Sequence, residues 1–229
     1  MFEDQSRLRL GLSYYDYLNI TGNLGPPGTT DLTSAPDTLQ KGNSLFDISN
    51  SDINNDGVID VNDLERRFGL ASDFNLLNLT AEYDLARFAP IHVILTGDYV
   101  KNIGYDADEI EDRQQGRTLI VNNGFAGDPD KEETDGFLAK VTVGWPDLRR
   151  RRAWQLAFAY KYLERDAVLD AFSDSDFHLG GTNAEGWIAS ASYGVLENTY
   201  LKLRYLSADE IEGPPLGIDV LQLDLVSRF

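Results

Sequence analysis

The residues with the clearest chemical pattern lie between Asp52 and Asp63, where the sequence reads DINNDGVIDVND. Oxygen-bearing side chains recur at alternate positions, and Gly57 stands where a sharp turn favours a residue without a Cβ atom. This spacing fits the twelve-residue EF-hand-type loop, which directs oxygen atoms at a hard cation. The pattern therefore predicts Ca²⁺ as a cofactor, with Asp52, Asn54, Asp56, the main-chain carbonyl of Val58, Asp60 and Asp63 as ligands.

The last ligand position departs from the usual loop, because Asp63 stands where an EF-hand carries the longer, bidentate Glu. The affinity is therefore left open, and the alternative is a solvated turn, since Asn, Asp and Gly dominate turns. A structural role is favoured because a cation offsets the repulsion among four carboxylates and holds a long loop in one shape. A regulatory role is left open.

The calcium-type loop is flanked by segments in which apolar and polar residues alternate. A period of two predicts β-strands, and a length of about ten residues is that of a tilted strand crossing a bilayer. In the last of these segments the alternation continues to the terminal Phe229. There are eight such segments: 8–14, 77–85, 92–100, 136–145, 154–162, 187–194, 201–205 and 220–229.

The connections between these segments alternate between short and long. Residues 86–90, 146–152 and 196–198 are tight turns, whereas 22–73, 102–135, 165–184 and 207–216 are long, polar and mostly acidic. Short turns on one side and long loops on the other are typical of outer-membrane barrels. The sequence predicts an all-β fold, an antiparallel transmembrane up-and-down β-barrel with about eight strands in residues 1–229. The 22–73 connection is a long insertion carrying the calcium loop at 52–63.

Aromatic residues support this prediction, because Trp and Tyr favour the membrane interface. They lie toward the segment ends on the apolar face, which predicts two girdles: Tyr14, Tyr83, Tyr99, Trp145, Trp154, Tyr162, Trp187, Tyr193 and Tyr205. The alternative is a soluble β-sandwich or lipocalin-like barrel. Many residues opposite the apolar face are Gly, Ala, Ser and Thr, which favours an enclosed lumen over a water-exposed surface.

Composition excludes several function classes. The formal charge of −18 argues against nucleic-acid binding, and the absence of Cys removes thiol catalysis and disulfides. No apolar run reaches the roughly 18 to 20 residues of a spanning helix. The first residues lack a secretory signal, so the protein is either not exported or this chain is processed, truncated or incomplete. His92 and His178 have no ligand pattern nearby, no nucleophile arrangement is visible, and the sequence does not predict an enzyme.

Three stretches carry a resemblance to a known family: SDFNLLNLTAEYDLARFAPIHVILTGDYVKNIG, YKYLERDAVLDAFSDSDFHLGGTNAEG and LRYLSADEIEGPPLGIDVLQLDLVSRF. With the calcium-type loop they resemble the C-terminal part of the bacterial "putative porin" family. Members are typically longer, with further strands upstream. The resemblance implies a barrel in the bacterial outer membrane, contact with outer-membrane lipid, and recognition of Phe229 by the barrel-assembly machinery.

Two functions follow from this reading. In the first, the chain is part of a water-filled pore for passive diffusion of small hydrophilic solutes, with a lumen lined by Glu82, Asp84, Lys140, Lys161, Lys202, Arg204 and Asp224. In the second, eight strands close by themselves, the interior fills with side chains, and the protein is an anchor or a surface-binding protein. Small inward residues and the family resemblance favour the pore. A soluble calcium-binding β-domain is a third reading, and a homo-oligomer is left open.

Overall fold

The computed structural model describes residues 6–23, 42–48, 68–121 and 125–228. Its strands in chain order are β1 (Arg7–Asp16), β2 (Leu45–Asp47), β3 (Phe68–Leu70), β4 (Asn75–Leu85), β5 (His92–Asn102), β6 (Ile120–Val121), β7 (Phe125–Ala126), β8 (Asp135–Gly144), β9 (Trp154–Leu163), β10 (Ala184–Leu196), β11 (Thr199–Glu210) and β12 (Gly217–Ser227). The one α-helix among the described residues is α1 (Ala107–Gln114), and Asp170–Phe172 forms a 3-10 turn. No described helix has the length and apolar character needed to cross a membrane.

The eight long strands form one antiparallel sheet in the order β1-β4-β5-β8-β9-β10-β11-β12. Each long strand pairs with the next long strand along the chain, as an up-and-down topology requires. The predicted all-β, antiparallel fold is therefore confirmed. Strands β1 and β12 are the two edges of this sheet, which is not closed within the described residues.

The strand register places apolar side chains on one face of the whole sheet, here called the apolar face. One row runs from Leu12 through Leu79 and Tyr99 to Phe137 and Tyr162. These side chains are not covered by other parts of the structure: Leu79 is 51 % exposed and Phe137 is 43 % exposed. A sheet of a water-soluble domain would bury such a face in its core. Exposure of a continuous apolar face matches the environment of a lipid-facing surface.

The connections separate by length to the two ends of the strands. The short ones, 86–91, 145–153 and 197–198, lie at one end, here called the turn side, and the long ones lie at the other, the loop side. The last long connection is shorter than predicted, because Ser207 to Glu210 continue β11 and pair with β12 or β10. Their alternation is weak because small and acidic residues occupy both faces, so the sequence pattern alone misplaced this boundary.

The apolar-face aromatics lie toward both ends of the strands. Those toward the turn side are Tyr83, Trp145, Trp154 and Tyr193. Those toward the loop side are Tyr14, Tyr99, Tyr162, Trp187 and Tyr205. This placement is the one that two interfacial girdles require.

The long connections are folded, which the sequence analysis did not predict. Their described parts, 17–23, 42–48, 68–74, 103–121, 125–134 and 164–183, are here called the cap. Within the cap, β3, β2, β6 and β7 form a small antiparallel sheet. Helix α1 begins after Asp106, whose side chain accepts a hydrogen bond from the main-chain N–H of Glu109, and buries Ile110 against this sheet. Strands of two or three residues show no usable periodicity, so local sequence could not reveal them.

The cap packs on the loop-side end of the large sheet. Leu45, Leu70 and Phe74 from the cap meet Val100 of β5 and Leu163 of β9 in one buried cluster. The backbones of the first and third described cap segments approach so closely that a Cβ atom on Gly22 would lie 2.8 Å from the Cα atom of Gly69. Glycine at both positions therefore permits this contact. The cap and the large sheet share a core and position each other.

Candidate pore-lining surface

The face opposite the apolar face, here called the polar face, carries the residues predicted to line a lumen. Strand pairing aligns them in transverse rows, one of which contains Arg9, Glu82, Thr96 and Lys140. Small residues lie between the charged ones, and their side chains project only a short distance from the sheet: Gly11, Thr80, Thr142, Ala157, Ala159, Gly186, Ser190 and Ser192. All seven predicted lumen residues lie on this face: Glu82, Asp84, Lys140, Lys161, Lys202, Arg204 and Asp224.

Two predicted acids on β4 have basic neighbours that the sequence analysis did not assign. Glu82 forms an ion pair with Arg9 of β1, with 2.5 Å between Oε1 and Nη1. Asp84 lies 2.7 Å from Nδ1 of His92 across the β4–β5 hairpin. The sequence did not identify Asp84 as a neighbour of His92, because the hairpin brings together residues that the linear pattern leaves apart. Alternation placed Arg9 and His92 on this face, but only the register shows which carboxylate each one meets.

Arg204 and Lys161 contact the connection between β9 and β10. Arg204 lies 3.2 Å from Asp176 and 3.6 Å from Asp174, and it also donates to the Gln222 side-chain oxygen at 3.1 Å. The Lys161 ammonium stands 4.7 Å from the centre of the Phe177 ring, a cation–π geometry. The connection thus folds back over the polar face of β9 to β12.

Phe177 anchors this folded connection. It is 2 % exposed and packs with Ala184, Leu206 and Ala208, which lie on the polar face of β10 and β11. Burying an aromatic ring of this size stabilises the contact by about 2 to 3 kcal/mol. The β9–β10 connection, held in this way, occupies part of the space in front of the polar face.

Lys140, Lys202 and Asp224 form no ion pair or side-chain hydrogen bond with other residues in the described part of the chain. Lys202 stands directly opposite Asp224 in the β11–β12 register, and Lys140 is exposed. The polar face therefore presents both charge signs to the space in front of it. Such a surface suits hydrated solutes and ions, because its charges stay accessible.

A buried ion-pair network ties the cap together on the loop side. Arg165 is 1 % exposed, and its Nη1 lies 3.0 Å from Glu133 Oε2 and 3.8 Å from Glu212 Oε2. Asp166 is fully buried and accepts hydrogen bonds from the Ser44 main chain at 2.9 Å and from the Ser44 hydroxyl at 2.5 Å. Burial raises the pKa of the Asp166 carboxyl, while the bonds from Ser44 and the Arg165 charge act in the opposite direction.

Amide side chains extend this network to the strands. The Asn43 side chain donates to the main-chain carbonyls of Arg165 and Val168. The Asn102 side chain donates to the carbonyl of Asp166 and accepts from the main-chain N–H groups of Asn75 and Gly104. The participants lie up to 127 residues apart, so local sequence could not reveal them. They hold the described parts of the first three long connections in one arrangement, and Glu212 brings the fourth beside them.

The remaining predicted residues are the calcium ligands, the terminal Phe229 and His178. The calcium ligands Asp52 to Asp63 and the terminal Phe229 lie outside the described residues. Within the described parts of the chain, no group of three or more His, Cys, Asp and Glu side chains is arranged to hold a metal ion. His178 is 1 % exposed, and its Nε2 lies 3.1 Å from the Leu216 carbonyl, so it is built into the cap.

The comparison with known proteins agrees with this geometry. The family model described as "Putative porin" matches residues 1–229, which is the whole chain. No curated protein and no solved structure matches. The family accounts for an all-β chain with one exposed apolar face and implies an outer-membrane location in bacteria. The chain belongs to the putative porin family.

Proposed function

We propose that this chain forms the wall of an outer-membrane pore that passes small hydrophilic solutes or ions by diffusion. The observation that carries the proposal is the two-faced sheet, in which one face is apolar and exposed across all eight long strands and the other is polar. Lipid would contact the apolar face, and water and solute would contact the polar face. The family points to a channel without enzymatic activity.

The cap and the β9–β10 connection give this pore a structured entrance. The cap packs over the loop-side end of the polar face, and Phe177 holds the connection against β10 and β11. A constriction on the loop side would restrict passage to small solutes. The apolar face would also present the protein to the barrel-assembly machinery, with Phe229 as the terminal signal.

The alternative is an eight-stranded barrel that closes alone and serves as an anchor. Closure requires the free edges of β1 and β12 to pair with each other, and the described residues contain no such pairing. The open edges favour further strands between them and a wider lumen. Intact mass of the protein extracted from outer membranes tests this. We expect a mass well above the 25.6 kDa of this chain; a mass equal to it would favour the closed anchor.

Ion selectivity provides the direct test of the pore. Lys140 and Lys202 are polar-face lysines, so the Lys140→Glu/Lys202→Glu variant should become more cation-selective. Replacing one lysine by glutamate changes the local charge by two units. At a distance of about 10 Å in water, before screening by salt, this change lowers the electrostatic energy of a monovalent cation by about 0.8 kcal/mol. This energy corresponds to about a fourfold rise in local cation concentration. Reversal potentials measured in planar lipid bilayers at low salt should report the shift.

The matched control reverses an arginine away from the polar face. Arg113 lies in the last turn of α1 and donates to the Glu109 carbonyl, so Arg113→Glu should leave the selectivity close to that of the wild-type protein. Equal shifts in both variants would mean that the polar face does not border the conduction path. Absence of any conductance in the wild-type protein would remove the pore proposal itself.

We further propose a structural Ca²⁺ site at Asp52 to Asp63, with the ligands named above. Its support is the loop spacing in the sequence. The Asp52→Ala/Asp56→Ala variant should bind Ca²⁺ at least about tenfold more weakly, because it loses two carboxylate ligands and their charges. Isothermal titration calorimetry with CaCl₂ on metal-free protein measures the change.

A second acidic pair supplies the control for calcium binding. Asp128 and Asp130 lie in another long connection, where the Asp128 carboxylate accepts a hydrogen bond from the Asp130 main chain. Asp128→Ala/Asp130→Ala removes the same charge and should keep the wild-type affinity. Loss of affinity in this variant alone would place calcium binding outside the predicted loop.

A further inference from the structure

The turn side of the sheet carries an excess of positive charge, although the chain as a whole is acidic. Its three short connections contain five arginines, Arg87 and Arg149 to Arg152, against two acids, Asp147 and Glu197. The long connections on the loop side are predominantly acidic. Charge is therefore segregated between the two ends of the strands, which overall composition does not reveal.

The connection between β8 and β9 holds its arginines in a defined arrangement. The Arg149 main-chain carbonyl accepts a hydrogen bond from Asn198 at 2.7 Å, and the Arg152 N–H donates to the Gly194 carbonyl at 2.7 Å. Both bonds tie the connection to the β10–β11 hairpin. The guanidinium positions are therefore presented on an ordered backbone.

The four arginines differ in what they contact. Arg149 forms a paired hydrogen bond with Asp147, and this bond lowers the pKa of Asp147 to about 2. Arg150 places its guanidinium carbon 5.9 Å from the centre of the Trp145 ring. Arg151 and Arg152 are exposed and pair with no carboxylate among the described residues. Three positive charges thus stay available to a ligand.

The available arginines lie beside the end of the apolar face. Trp145 and Trp154 are joined by a main-chain hydrogen bond of 2.8 Å, and Trp154 stands opposite Tyr193. Trp154 and Tyr193 are 36 % and 49 % exposed. Guanidinium groups next to exposed aromatic rings match a ligand with an anionic headgroup attached to an apolar chain. Nucleic acid has no acyl chains that could lie along the apolar face.

We propose that Arg150, Arg151 and Arg152, with Trp145 and Trp154, form a binding site for the headgroup of an anionic glycerophospholipid in the leaflet on the turn side. The site rests on the proposed function, because it requires the apolar face to contact lipid. The phosphate and the negative headgroup lie against the guanidinium groups, and the acyl chains lie along the apolar face. The site fixes the depth of the turn side in the bilayer and selects its neighbouring lipids.

Quenching of tryptophan fluorescence by brominated lipid tests this site. The chain has three Trp residues, so Trp187→Phe removes the one on the loop side and leaves Trp145 and Trp154 as reporters. The protein is reconstituted into phosphatidylcholine vesicles containing equal mole fractions of either brominated phosphatidylglycerol or brominated phosphatidylcholine. We expect stronger quenching by phosphatidylglycerol at low salt and a smaller difference at high salt.

Variants separate a headgroup site from general surface charge. Arg150→Gln/Arg151→Gln/Arg152→Gln should weaken the preference for phosphatidylglycerol by at least about fivefold. The corresponding triple Lys variant keeps the charge and should retain most of the preference. Arg113→Gln/Arg117→Gln, on the loop side, should leave the preference unchanged.

Three results would contradict the lipid site, and they differ in what they imply for the proposed pore. Insertion into vesicles with equal quenching by both lipids overturns the site and leaves the pore proposal standing. Protein that stays outside the vesicles overturns both. Binding of free glycerol phosphate by the wild-type protein without any preference for phosphatidylglycerol in vesicles means that the arginines bind soluble phosphate, and the lipid site is then wrong.

Discussion

Replacing Arg165 with methionine is expected to destabilise the cap by about 3 to 5 kcal/mol, the cost of removing one partner from a buried ion-pair network. Methionine is long and unbranched, so it fills much of the same volume. It leaves the fully buried Asp166 without its positive neighbour, and Glu133, which is 6 % exposed, keeps only its ion pair with Lys131. The loss should appear as local opening of the cap, because the pairing of the eight long strands does not depend on Arg165.

Hydrogen exchange in detergent micelles, read by mass spectrometry, measures this opening. Peptides covering 42–48 and 164–170 should exchange roughly a hundredfold to a few thousandfold faster, whereas peptides from the centres of β10 and β11 should be unaffected. Arg113→Met serves as the control, since Arg113 lies in the last turn of α1, outside the Arg165 network, and bonds to a main-chain carbonyl. Unchanged exchange at 42–48 would show that the network does not hold the cap.

A compensating variant identifies charge as the cause. Adding Glu133→Gln and Asp166→Asn to Arg165→Met removes the uncompensated negative charges while keeping side chains of similar shape. We expect part of the lost protection to return, because a buried network can be neutralised at little net cost when no charge is left unpaired. Failure to recover any protection would assign the loss to packing around position 165.

The sequence predicted the long strands well because their physical signal is local. Alternation of apolar and polar residues fixes which face each side chain occupies, and a slip of one residue would turn Leu79 away from the apolar face. The seven predicted lumen residues lie on the polar face for the same reason. The end of β11 was misplaced because Ser207 to Glu210 lack that contrast.

The cap could not be predicted because its stabilising contacts are distant in sequence. Arg165 meets Glu133 across 32 positions and receives the Asn43 amide across 122, and no local pattern connects these residues. Phe177 stands in a polar stretch that resembles a solvated loop, yet it is buried on the polar face. The available signal was an aromatic residue between acidic residues and the glycine pair Gly180–Gly181, which an analysis of apolar periodicity does not use.

These two classes of contact suggest a division of roles within the chain. Local alternation builds a sheet with one apolar, exposed face and one polar face. Long-range polar contacts build the cap, and Phe177 and Arg204 hold the β9–β10 connection against the polar face. In the proposed pore, exclusion of large solutes would depend chiefly on the cap and this connection, and residence in the membrane on the strands.

Substitution by arginine along β4 should show the depth profile of a membrane. Leu79 lies at the middle of the strand on the apolar face, and Leu79→Arg is expected to lower the free energy of unfolding by about 2 to 4 kcal/mol. Tyr83 lies on the same face near the turn side, where Tyr83→Arg should cost about 0 to 1 kcal/mol from the charge itself. Urea titration of the protein in lipid vesicles, followed by tryptophan fluorescence, measures both.

The neighbouring position on the opposite face completes the comparison. Thr80 points to the polar face and donates to the Asp98 carboxylate at 2.6 Å, so an arginine there meets a negative charge and water. Thr80→Arg should therefore cost much less than Leu79→Arg. If a protein core covered the apolar face, an arginine would lower the free energy of unfolding wherever the packing is tight. The loss would then show no gradient from the centre of the strand to its end. A steep cost at Leu79 with a small one at Tyr83 identifies lipid as the surrounding medium, whereas equal costs at both positions would contradict it.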